Sequence, residues 1–112
     1  MKRFGPKGIL LLLACLGVAQ AANPGEEHPG YPLFKAYCWG CHHQTAEAFG
    51  PSFRTIASKR NKGEIISQIV DPANTAKRLG YRRSSMPAFD DLTSTQLEQL
   101  ADFILSFKES KQ

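Results

Sequence analysis

The sequence predicts a small all-α domain of about four short helices joined by long loops. Three observations predict it. Apolar residues recur at helical spacing in separate segments near residues 33–37, 65–70 and 97–105. No stretch reads as a convincing strand. Pro- and Gly-containing segments break the helical pattern between these stretches. At 112 residues the chain has the length of one domain, without internal repeats or low-complexity tracts.

The first 21 residues stand apart from that domain. Lys2, Arg3 and Lys7 form a basic start, and an apolar run follows over residues 9–18, too short to span a bilayer. Ala19-Gln20-Ala21 is a small-residue cleavage site, so residues 1–21 read as a secretory signal peptide. The expected location is therefore the periplasm or another exported compartment, with no membrane span after cleavage. Cys15 follows Leu12-Leu13-Ala14, a poor lipoprotein box, and lipid anchoring there is the less favoured reading. Cleavage removes three cationic side chains from a net charge of +4, leaving about +1, which argues against a nucleic-acid binder. Basic residues remain concentrated between Arg54 and Arg83.

Residues 22–30 are Pro/Gly-rich and are expected to be an extended, flexible leader to a domain over residues 31–112. A helix starts near Tyr31, with Pro32 tolerated in its first turn and Leu33, Phe34 and Tyr37 as its apolar stripe. It runs into Cys38-Trp39-Gly40-Cys41-His42. The pattern C-x-x-C-H is the attachment signature for a c-type haem. On a helical turn, positions three and four apart share a face. Cys38 and Cys41 can then form thioethers with one haem, and His42 can reach its iron from one axial side. A disulfide or thioredoxin-like pair would call for a βαβ pattern that the chain lacks. Zinc would need four ligands, usually from two separated pairs, and only His43 and His28 remain to complete a set.

Residues 44–49 read as a loop, punctuated by Gly50-Pro51-Ser52-Phe53. Phe53, Ile56 and Ala57 suggest a short helix, and residues 59–63 a basic turn. Ile65, Ile66, Ile69 and Val70 mark an amphipathic helix that Asp71-Pro72 is expected to stop. Residues 73–91 look irregular. Thr93 with Gln96 fits a capping box opening the last helix. Leu97, Leu100, Ala101, Ile104 and Leu105 form its buried face, with Phe103 and Phe107 flanking. So small a domain needs a staple. With both remaining cysteines inside one motif, a covalently held haem is the staple available.

With these features in order, the chain resembles the class I monohaem c-type cytochromes over essentially the whole domain. Gly30, Phe34 and Cys38 match the four-residue steps of that family's first helix. Gly50-Pro51 resembles its proline segment, and Ser84-Ser85-Met86-Pro87-Ala88-Phe89 its methionine loop. The resemblance implies the cytochrome c fold wrapped around one covalently bound haem. It implies that the Pro51 carbonyl accepts a hydrogen bond from the proximal histidine, and that Phe34 and Phe103 cross. It implies Met86 as sixth ligand opposite His42, with His28, His43 or an open position as alternatives. Tyr81 and Arg82, with Arg83 and Arg54, are candidates to meet the haem propionates. Phe53 departs from the leucine common at its place. The function implied is single-electron transfer without catalysis, between redox protein partners such as a dehydrogenase, an oxidase or a cytochrome complex. A haem subunit of an oxidoreductase or sulfur-oxidising complex, or a gas-binding haem sensor, are the alternatives.

Overall fold

The computed structural model describes residues 23–109, so the expected signal peptide, its expected cleavage site and Cys15 lie outside the described residues. Five helices are present and, among the described residues, no strand: α1 (Tyr31–Tyr37), α2 (Phe53–Lys59), α3 (Lys62–Val70), α4 (Pro72–Arg78) and α5 (Ser94–Leu105). None is long and apolar enough to cross a membrane.

Helix α5 is the hub, packed against α1, α2 and α3, while α4 packs on α3. Thr93 caps α5: its hydroxyl accepts from the Gln96 amide at 3.1 Å, and the Gln96 side chain accepts from the Thr93 amide at 2.9 Å. Such a box satisfies two otherwise unpaired helix-end donors. Leu100, Ala101, Phe103 and Ile104 are buried, whereas Leu97 and Leu105 are half-buried. Phe103 is therefore a core residue and not a flanking one.

The crossing of α1 over α5 depends on two glycines. A Cβ on Gly30 would collide with the Gln99 carbonyl oxygen and come within 2.6 Å of Phe103 Cβ. Gly25 has φ +79°, a conformation open to glycine, and its missing side chain makes room for the Phe103 ring. Phe34 and Phe103 meet at 5.4 Å between ring centroids. Residues 23–30 are not extended. Hydrogen bonds from Glu26 to Asn23, His28 to Gly25 and Tyr31 to His28 wind them into turns against α5.

Two further expectations need correction. The basic turn at residues 59–63 is shorter than expected, because α3 already begins at Lys62. Asn61 caps it in a reciprocal box with Glu64. Lys62 then bridges to Glu98 at 2.7 Å and Asp102 at 3.0 Å on α5. The hydrogen bonds its ammonium donates to Glu98 and then to Asp102 hold the group above the usual lysine range. Pro72 ends α3 but also starts α4, which replaces the first part of the region expected to be irregular. Proline suits a first helical turn because its missing N–H would have no partner there. Thr75, buried on α4, donates its hydroxyl to the Ser67 carbonyl at 3.0 Å and so folds α4 back onto α3.

Candidate functional site

The motif occupies the turn that leaves α1. Cys38 is the C-cap residue, donating its amide to the Phe34 carbonyl. The amides of Cys41 and His42 both return to the Cys38 carbonyl, at 3.1 and 3.0 Å. This is one helix-like turn, and it brings the side chains of Cys38, Cys41 and His42 to the wall of one cleft. No disulfide joins Cys38 and Cys41. Burial, and next the neighbouring Cys41, push the Cys38 thiol up to about 12, while Cys41 is exposed.

His42 is held from its far side. Its Nδ1 lies 2.7 Å from the Pro51 carbonyl oxygen, and a proton donated along that contact leaves Nε2 free to act as a ligand. The Gly50 amide donates to the Cys41 carbonyl at 2.7 Å, closing the loop under the ring. A Cβ on Gly50 would stand 2.6 Å from His42 Cε1.

The cleft measures about 330 Å³ and has a mostly apolar lining that includes Phe53, Ile56, Ile65, Ile69, Leu79, Phe89 and Ile104. Met86 lines it and is half-buried. The Gln68 side-chain amide points at the Met86 sulfur at 3.8 Å. Arg60 also lines the cleft. It donates to the Tyr81 hydroxyl at 3.0 Å, with its guanidinium 5.3 Å from the centre of the Tyr81 ring. Its Nε is buried and has no partner within the protein.

A model of the family described as cytochrome c oxidase, cbb3-type, subunit III matches residues 25–104. The chain belongs to that family. It is a c-type cytochrome. No curated protein and no solved structure gives a match.

The family implies a covalently bound haem c, and this cytochrome's own residues fit one. A large apolar cleft suits a macrocycle. Two thiols, an imidazole and a thioether reach the same space. Arg60 lines that space and its Nε–H is a buried donor without a partner; a buried donor left unpaired is costly, so an acceptor such as a haem carboxylate fits beside this residue.

The cytochrome distributes its other candidates unevenly. Tyr81 and Arg83 line the cleft, but Arg82 does not. Arg82 stands at a bend with its side chain exposed. Arg54 is paired with Glu109 at 3.3 Å and is likewise not part of the lining. Arg60, which the sequence presents only as part of a basic turn, takes their place. Its one sequence signal is its position at the end of α2, three residues after the buried Ala57. His28 accepts from the Gly30 amide at 2.9 Å and sits edge-on to Phe103, outside the cleft. The His43 ring accepts from the amides of Thr45 and Ala46, also outside it.

Glu47 secures the loop behind His42. Its carboxylate accepts from the Thr55 hydroxyl at 2.7 Å and the Ser52 amide at 3.1 Å. The Thr55 bond first, then Ser52, hold its carboxyl below the usual range. A depressed carboxyl stabilises the fold above its unfolded-state value, and that contribution disappears as pH falls through the folded value. Glu47→Gln is expected to lower stability at neutral pH but not below both values. Urea midpoints of the two proteins, measured across the acid range, should converge at low pH. A constant gap would refute the role.

Proposed function

We propose that this cytochrome is an exported one-electron carrier, with a signal peptide at residues 1–21, a leader at 22–30 and a haem domain from residue 31. One haem c is held through Cys38 and Cys41, with His42 and Met86 as axial ligands. A single observation carries the reading: Cys38, Cys41, His42 and Met86 line one cleft, with His42 Nδ1 tethered to Pro51.

The bound group supplies reversible one-electron iron chemistry. The protein does the rest. The Pro51 carbonyl orients the imidazole and fixes which ring nitrogen carries the proton. A methionine sulfur opposite a histidine favours the ferrous state and raises the potential. The phenylalanines and isoleucines of the cleft exclude water. Arg60, with Tyr81 positioning it, offsets the charge of a buried carboxylate, and Arg83 stands on the same cleft. With both axial positions filled by protein, no substrate can reach the metal, so a carrier and not an enzyme is the expected activity. The exposed basic side chains between Lys59 and Arg83 would steer an acidic redox partner.

The family description favours a second reading, in which the domain is a haem subunit of an oxidase complex. Salt dependence separates the two. A free carrier docks more slowly as ionic strength rises, whereas a fixed subunit co-purifies with its complex.

The test of the ligand set is spectroscopic. Holoprotein matured in a c-type-cytochrome-competent periplasm should give the reduced spectrum of a six-coordinate haem c and bind carbon monoxide slowly. Met86→Ala should bind carbon monoxide promptly and lose the near-infrared sulfur-to-iron band. Prompt binding by the unaltered protein would remove Met86 from the ligand set and favour a gas-binding role.

A further inference from the structure

The Pro51 carbonyl holds His42 at a single atom. Acceptor directions at a carbonyl oxygen are broad, so one hydrogen bond leaves the imidazole plane free to tilt. A second contact removes that freedom. The ring of Phe53 stacks on the His42 imidazole, with centroids 5.5 Å apart and planes 28° apart. Phe53 is itself immobilised. It is 1 % exposed and meets Phe34 edge-on at 5.3 Å and Phe103 edge-on at 5.9 Å. Its amide donates to the His43 carbonyl at 2.9 Å, so its own backbone is tied to the residue after the histidine. Gly50 completes the seat, because any side chain there would strike the imidazole.

We propose that Phe53 is a positioning residue for His42, setting the plane of the imidazole by stacking. The inference rests on His42 as an iron ligand. A branched aliphatic side chain at this place would fill volume without offering a flat face. Offset stacking is one of the favoured arrangements of aromatic rings, and an immobilised flat face beside the imidazole limits how far its plane can turn. Phe34 and Phe103 pack around Phe53 and add stability there, whereas the flat face against the imidazole is that of Phe53 alone.

The test uses ferric holoprotein and two readouts. One is stability in urea. The other is the order of the hyperfine-shifted haem methyl proton resonances, which reports the orientation of the axial ligand planes. Phe53→Leu is expected to lower stability and to reorder the methyl resonances. Phe53→Tyr keeps the flat face; its hydroxyl lowers stability, yet the order should stay that of the unaltered protein. Phe34→Leu changes a fully buried ring that touches Phe53 but stacks on no ligand, and it should cost stability with the order intact. If Phe53→Leu fails to mature, Phe53→Met provides volume without a plane and should reorder the resonances in the same way. Unchanged order in Phe53→Leu or its substitute would overturn the proposal, as would an equal change in Phe34→Leu or a changed order in Phe53→Tyr. Absence of a low-spin ferric haem in the unaltered protein would overturn the ligand reading itself, and this inference with it.

Discussion

Cys38→Ala and Cys41→Ala combined should leave a chain with no covalent pigment and no cooperative unfolding transition. The reason is the size of the space that the motif fills. The cleft measures about 330 Å³. At roughly 24 cal/mol per Å³, an empty space of that size costs up to about 8 kcal/mol. Access of water to the cleft makes this an upper bound. The entire stability of a small domain is only about 5–15 kcal/mol. No disulfide elsewhere can compensate, because Cys38 and Cys41 are the only cysteines among the described residues. Either single variant retains one attachment sulfur and should keep acid-acetone-resistant pigment. Acid-acetone extraction and a thermal melt followed by circular dichroism check both halves. A double variant that is colourless yet melts cooperatively would show that the polypeptide alone builds its interior.

Phe103→Ala should be the most damaging single change in the described core. The ring is fully buried. It touches His28, Tyr31, Phe34, Phe53 and Phe107 at centroid distances from 5.1 to 6.1 Å, and it also fills the space vacated by Gly25. Truncating a buried phenylalanine costs about 3–5 kcal/mol. With a urea slope of about 2 kcal/mol per molar, the midpoint should fall by about 2 M. Lys108→Ala, at an exposed position, should leave the midpoint within experimental scatter. Equal shifts for the two variants would mean that the α1–α5 crossing does not hold the fold together.

Periodicity carries most of the fold because each amphipathic helix must hide its own stripe. Ile65 and Ile69 are legible as one face of α3, and Leu100, Ala101 and Ile104 as one face of α5. Capping chemistry locates the start of α5 from Thr93 and Gln96 alone. The same kind of signal at Asn61 and Glu64 lies inside a run of basic residues that has the composition of a turn. Helix α4 escapes local pattern for a different reason. Pro72 is a strong stop signal for the helix before it and a compatible start for a helix after it, and nothing local distinguishes the two. The second role holds because Thr75 reaches the Ser67 carbonyl, a contact made only once α4 has folded back. The leader at residues 22–30 misleads in a similar way: its composition suits an extended chain, but Gly25 and Gly30 are the spaces into which Phe103 and α5 fit.

For the site, spacing determines which side chains lie close along the chain. Cys38, Cys41 and His42 share one turn because residues three and four apart meet on a helical face. The order of Gly50-Pro51 and of the Met86 loop suggests their roles by resemblance. Tertiary structure alone decides which distant side chains join them. Arg60 and Tyr81 are 21 residues apart and meet at the cleft, whereas Arg82, next to Tyr81, does not line it. Phe53 becomes a neighbour of both the histidine and the α1–α5 crossing only when the helices close around it. Local pattern reports the direction of each side chain relative to its own backbone, whereas contacts between segments depend on how those backbones pack.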